Sequence, residues 1–222
     1  MWCSSLVKED YVVKSSILNF ISWMSSETVF GYAPAGPYRM IDARLYSQMS
    51  PTDVRRGLFK HSESGYSYTA QESAFPDYTN IKFKKVANWE ADYVYMRVSE
   101  MILNEAEALA HKGDQAGAAT VLKELMSQRD PSWNKASVTA DEVYQQRRLE
   151  LWGEGFSLFD HLRLKKGVER NYEGTNHLAS ALYTIAPDSW YLHFQIPLRE
   201  LDNSAEITKE EQNPAPSESK FK

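Results

Sequence analysis

Glu150 and Glu154 are the two carboxylates whose type and spacing suggest acid–base work, and Arg147 stands three residues before the first and seven before the second. A glycosidase needs two acids that flank a scissile bond across a cleft. Acids one helical turn apart share one face of a helix, so this pair encloses no cleft. The structural reading, an ion-pair set with Arg147, Arg148 and Arg163, therefore takes precedence, and such a set fixes geometry more surely than it adds stability. Asp160 with His161, and Glu107 with His111 one turn on, supply only two metal ligands each, so no metal is expected. The sequence has no phosphate-binding glycine loop, Gly-x-Ser-x-Gly elbow or Cys/His pair, and neither catalysis nor a cofactor is expected.

Aromatic rings are the other available chemistry, with six tryptophans, thirteen tyrosines and nine phenylalanines. Most rings in any protein are core. Those gathered in turn-rich stretches are the candidates: Tyr32 and Tyr38 beside Arg39, then His61, Tyr66, Tyr68, Phe75 and Tyr78. Rings of this kind form a shallow platform that stacks on sugar faces while a guanidinium bonds hydroxyls. Tyr32, Tyr38, Arg39, Tyr66 and Tyr68 are the expected ligand-binding residues.

The elements that must position these groups centre on Arg147–Arg163, RRLELWGEGFSLFDHLR. Leu149, Trp152, Phe156, Phe159 and Arg163 recur at steps of three and four, which predicts a helix with an apolar core face. Gly153 and Gly155 interrupt it, each costing a helix interior about 1 kcal/mol, and call for a bend or close backbone packing. Upstream, periodicity from Tyr93 predicts a helix stopped at His111-Lys112-Gly113, and Asp114 caps a second helix, Gln115–Gln128. Ala106, Ala110, Ala116 and Ala119 are the expected contacts of a hairpin like one tetratricopeptide-type repeat. Val98, Met101, Leu122 and Leu125 exceed what this hairpin and one more helix can cover, which predicts an exposed apolar patch. Thr139–Glu142 reads as a capping box that opens the next helix.

Elsewhere, Thr28–Tyr32 reads as a strand and Ser50-Pro51-Thr52-Asp53 as a helix start with Ser50 as cap. Lys60–Asn80 is a long loop ending at a small strand, Lys82–Lys84; Gly167–Tyr191 is loop, His193–Leu198 a strand, and Glu206–Lys222 a solvated end. Residues 1–90 thus form a loop-rich ligand-side region with short strands and 91–222 a helical region, together one incomplete domain. The expected class is mainly α, with tetratricopeptide-like hairpins, long irregular loops and a few short strands.

Net charge is −5 and no basic run occurs, so nucleic acid is excluded as a partner. The single cysteine, Cys3, rules out an internal disulfide framework. No apolar segment is long enough to span a bilayer, and Met1–Asp10 lacks the character of a secretory signal.

The stretch R-R-x-E-L-x-G-E-G-x-x-x-F-D-x-x-R over Arg147–Arg163 resembles the C-terminal signature of the SusD/RagB family of bacterial outer-membrane nutrient-uptake lipoproteins. Arg97–Ala110 (RVSEMILNEAEALA), Phe194–Asn203 (FQIPLRELDN) and Gln212–Pro214 (QNP) match further segments of that family, in the same order relative to one another. Gln146 stands where the family has glutamate, and Gln195 replaces the first proline of P-I-P. The signature maps onto Arg147, Glu150, Gly153, Glu154, Gly155, Phe159, Asp160 and Arg163. Because family members are much longer, the chain looks like the C-terminal part of one. The resemblance implies a non-catalytic, surface-exposed lipoprotein of the cell outer membrane that binds oligosaccharide or polysaccharide, starch-like among them. It further implies delivery to a TonB-dependent (SusC-like) transporter. The alternative is a helical-repeat protein-interaction module with no glycan site of its own.

Overall fold

Side-chain caps set where helices begin in the first part of the chain. The computed structural model describes residues 2–4, 20–27, 38–84, 92–187, 189, 192 and 194–213, and the chain divides into two compact units, Met1–Glu154 and Gly155–Lys222. The expected strand Thr28–Tyr32, Tyr32 itself and His193 lie outside the described residues. In the first unit, strand β1 (Trp2–Ser4) and helix α1 (Phe20–Met24) precede helix α2 (Ala43–Tyr46), whose cap Asp42 accepts from Leu45 N. Ser50 does not cap the next helix. Its hydroxyl donates to Asp130 Oδ2 at 2.8 Å, and Asp53 instead caps a short 3-10 helix, Val54–Leu58. Helix α3 (Ala70–Ser73) carries a full capping box between Thr69 and Glu72 inside what reads as plain loop.

The loop is stitched by its own backbone. Residues near Tyr78–Ile81 run between two neighbours, with Ile41 N donating to Tyr78 O (3.0 Å), Asn80 N to Arg39 O (2.8 Å) and Ile81 N to Leu58 O (2.9 Å). Lys82–Lys84 is not a strand but a bend, because the Asn80 side chain accepts from Lys82 N and turns the chain there. Ile41, Leu45, Tyr46, Met49 and Phe59 form a buried core with Leu149, and Leu58, Tyr78 and Trp152 pack against it. The turn-rich stretch is thus anchored directly on the signature stretch.

Strand β2 (Tyr93–Met96) occupies the start of what periodicity assigns to helix, because its aromatic and β-branched run pairs antiparallel with β1. Helix α4 (Val98–His111) starts after Arg97, which is still extended, and Gly113 at φ +88° reverses the chain as expected. Helix α5 (Gln115–Met126) follows its Asp114 cap and ends two residues short of Gln128. Helix α6 (Ala140–Glu150) opens with the Thr139–Glu142 capping box, and α4 packs on both α5 and α6. Ala106 and Ala119 are buried, whereas Ala116 is exposed and Ala118 takes the inner place. Leu122 and Leu125 are buried as well, so the apolar surface left over is Val94, Tyr95, Met96, Val98 and Met101, on β2 and the start of α4.

The signature stretch is not one helix. α6 stops at Glu150, and Gly153 and Gly155 both take left-handed backbone, φ +76° and +90°. A β-carbon on Gly153 would sit 2.7 Å from Phe83 Cε2 and 2.9 Å from Met24 Cε, so this glycine supplies both a turn and a close approach.

In the second unit, helix α7 (Ser157–Arg163) leaves Phe159 65% exposed, so the apolar stripe does not remain core to its end. Strands β3 (Val168–Glu169) and β4 (Thr184–Ile185) pair within the expected loop. Leu198 opens helix α8 (Leu198–Asn203), and no strand precedes it over 194–197. Side-chain amides do the work of a strand partner there: Gln212 bonds both the N–H and the carbonyl of Ile196, and Asn213 Nδ2 donates to Phe194 O at 2.6 Å. The tail is therefore engaged at Gln212 and Asn213 rather than solvated throughout.

Candidate functional site

Glu150 ends α6 in the buried side of the first unit, and its cations arrive from far along the chain. Arg97 Nη1 reaches its Oε1 at 2.7 Å, Arg129 donates through Nε and Nη2 at 3.0 Å each, and Arg55 Nη1 lies 3.7 Å from Oε2. Burial alone would raise the Glu150 carboxyl, but hydrogen bonds from Arg129 and Arg97, with their charges, pull it down to about 2. A carboxylate so held is neither acid nor base near neutrality. Glu154 follows the turn at Gly153 and accepts from Arg97 Nε at 2.9 Å and Nη2 at 2.8 Å. Lys82 Nζ spends its three donors on Glu154 Oε1, Glu150 O and Trp152 O, and burial pushes its ammonium below the ordinary lysine value against the pull of Glu154.

Glu150 and Glu154 are thus a structural pair bridged by Arg97, and the bend at Gly153 brings them onto the same guanidinium. Glu150 and Glu154 are bonded by cations from outside α6. Arg147 Nη1 donates to Asn104 at 2.8 Å, and in the second unit Arg163 Nε donates to the buried Asp160 at 2.8 Å. Local spacing gives no sign of Lys82, Arg97 or Arg129, each 21 to 72 residues from the acid or carbonyl it serves, nor of the approach of Arg55 to Glu150, since the acid that Arg55 bonds is Asp53, two residues away. A cavity of about 450 Å³ opens beside this cluster, walled by Phe20, Val54, Leu58, Phe83 and Val94.

Tyr66, Tyr68, Phe75 and Tyr78 occupy the stitched loop, and Tyr38 lies against it. Tyr38 packs on Phe75 with ring centroids 5.2 Å apart, and the adjacent Arg39 guanidinium lies 4.9 Å from the centre of the Trp23 ring. Tyr66 is 39% exposed, and its ring fills the space beside Gly57. Tyr68 is half-buried; its hydroxyl accepts from His61 N at 3.1 Å and bonds Ser64 Oγ at 2.6 Å. Asp77 closes the same turn by accepting from Lys60 Nζ, Ser62 N and Ser62 Oγ. Beneath lies Tyr46, stacked on His61 at 4.9 Å and edge-on to Tyr78 at 5.6 Å. Burial pushes the Tyr46 hydroxyl up to about 12 against the opposing charge of Arg56, which sits 4.6 Å from its ring centre.

The sequence profile of the SusD family matches residues 32–215. The chain belongs to the SusD family. Among solved structures it is similar to a SusD-like carbohydrate binding protein from Bacteroides vulgatus, at 22% identity and TM-score 0.67, covering 99% of this chain and 50% of that one. A SusD superfamily protein of the same organism matches at 28% identity and TM-score 0.67 over 86% of this chain and 42% of its own length. A third, from Bacteroides thetaiotaomicron, matches at 24% identity and TM-score 0.61, covering 88% of this chain and 43% of that one. The SusD-family chain described here spans half or less of the length of these structures. No curated protein matches it. No helix among the described residues is long and apolar enough to cross a membrane.

Proposed function

We propose that this SusD-family chain serves non-catalytic glycan binding at the bacterial cell surface. Its outer-membrane lipoprotein would take up oligosaccharide or polysaccharide and deliver it to a TonB-dependent, SusC-like transporter. The family match over residues 32–215 is the observation that carries this reading, and the carbohydrate-binding description of the Bacteroides vulgatus relative supports it. On this reading the ligand side lies within residues 1–90, with Tyr32, Tyr38, Arg39, Tyr66 and Tyr68 as the contacts. Residues 91–222 form the scaffold. The ordered packing of Tyr38 on Phe75 and of Arg39 near Trp23 favours a platform whose geometry is set before sugar arrives. Affinity electrophoresis through gels loaded with a panel of polysaccharides tests it. Retardation by at least one glycan, lost in Tyr38→Ala, is expected; uniform mobility throughout the panel refutes it.

A protein-interaction module with no glycan site is the second reading. The exposed apolar run Val94, Tyr95, Met96, Val98 and Met101 favours it. Uniform mobility on glycans is its expected result.

A further inference from the structure

Arg55, Arg97 and Arg129 each hold a carboxylate by the same edge of the guanidinium, the fork of Nε and Nη2. Arg55 holds Asp53 with it at 3.0 and 2.6 Å, Arg97 holds Glu154 at 2.9 and 2.8 Å, and Arg129 holds Glu150 at 3.0 Å from both nitrogens. Arg56 presents that fork to no acid. Its Nη1 donates to Met49 O at 3.1 Å, and its guanidinium carbon lies 4.6 Å from the centre of the buried Tyr46 ring. Among the described residues, Arg56 Nε and Nη2 bond no group, and neither is among the buried unpartnered atoms, so both open to solvent. Glu63, the exposed acid of the loop over residues 61–68, is not within ion-pair distance of Arg56.

A ring stands beside this fork. Gly57 follows Arg56 in the 3-10 helix Val54–Leu58, and a β-carbon there would sit 2.8 Å from Tyr66 Cε1, so the Tyr66 ring rests directly on the helix that carries Arg56. Tyr66 is also an exposed aromatic of the turn-rich stretch. The charges that act on the Tyr46 hydroxyl are those of Arg56, Tyr68, Tyr78 and Tyr66, so all four surround one buried ring.

We propose that Arg56 makes the aromatic-loop site selective for acidic sugars: a uronate lays its ring face on Tyr66 and its carboxylate on the Arg56 fork. This inference rests on the glycan-binding reading and adds the class of glycan to it. Hydroxyls of a neutral sugar also accept from these donors, but only a carboxylate offers two oxygens at the spacing of the fork. It also supplies a counter-charge to a guanidinium whose partners, a carbonyl and a ring, are neutral. Arg56 is half-buried, so the pair is screened less than one on a fully exposed arginine.

Isothermal titration of the full chain with trisaccharides of galacturonate, glucuronate and mannuronate, each beside its neutral methyl ester, tests the proposal. At least one acid is expected to bind at least about tenfold more tightly than its own ester. Arg56→Gln should bring that acid to within about twofold of the ester and leave the ester unchanged, whereas Tyr66→Ala should weaken acid and ester alike by about tenfold. A thermal melt of Arg56→Gln within about 3 °C of the parent shows it is folded; if it is not, Arg56→Lys, which keeps the charge but not the fork, replaces it, with the preference falling at least about threefold. No acid preferred over its ester in the parent, a preference that survives in the folded variant, or acid binding untouched by Tyr66→Ala would each overturn the proposal. The glycan-binding reading would still stand in those cases if an ester or maltoheptaose bound; no heat from any saccharide, maltoheptaose included, would overturn both.

Discussion

Replacing Glu150 by glutamine keeps the shape of the side chain and removes the charge on which Arg97 and Arg129 converge. The carboxyl stands at about 2 against an ordinary 4.5. At about 1.4 kcal/mol per unit, this difference corresponds to about 3 kcal/mol of preference for the ionised form in the folded state. Loss of one member of a buried ion pair falls in a similar range, roughly 3–5 kcal/mol. For a chain of this size the melting temperature should fall by about 6–12 °C near neutral pH. Because the folded value is depressed, the contribution is fully present above the ordinary value of 4.5 and is lost as pH falls through about 2. The gap between parent and Glu150→Gln should therefore be widest near neutrality and close on acidification, whatever the other carboxylates do in both proteins. Urea melts followed by tryptophan fluorescence at a series of pH values measure it. A gap under about 0.5 kcal/mol at neutral pH, or one that does not shrink in acid, would refute the reasoning.

Glu154→Ala should destabilise by about 3 kcal/mol by urea denaturation, since Lys82 Nζ and two Arg97 donors lose their acceptor while Arg97 keeps Glu150. Gly153→Ala should cost clearly more than Gly155→Ala: both force a β-carbon onto left-handed backbone at about 1–2 kcal/mol, but only Gly153 also meets Phe83 and Met24. Equal costs in chemical denaturation would contradict the close approach. Thr139→Ala should lose about 1 kcal/mol with the capping box of α6, and circular dichroism should show its first turn frayed.

What was legible in the sequence was local. Thr139 and Glu142 cap each other across three residues, and Gly113 and Asp114 do their turning in place, so spacing alone identifies them. Thr69 and Glu72 have the same spacing and the same box, yet stand in a stretch without apolar period that gives no cue to a helix of four residues. Tyr93–Met96 becomes strand only because Trp2–Ser4 pairs with it across most of the first unit, against a helical period that begins in earnest at Val98. The charge cluster is the extreme case. Glu150 and Glu154 stand out, but an arginine 53 residues away bridges them, and only the turn at Gly153 makes that possible. For the aromatic loop, the sequence names the rings but not their duties: it cannot tell that the Tyr68 hydroxyl closes a turn or that Tyr38 rests on Phe75.

Sugar binding through the Tyr38–Arg39 edge of the loop is the central claim, and calorimetric titration with maltoheptaose and a matched series of other oligosaccharides tests it most directly. Saturable heat is expected for at least one oligosaccharide, with a dissociation constant below about 1 mM and a loss of about tenfold or more in Tyr38→Ala and Arg39→Ala at unchanged melting temperature. Absence of heat across the series, or binding that survives both substitutions unchanged, would contradict it.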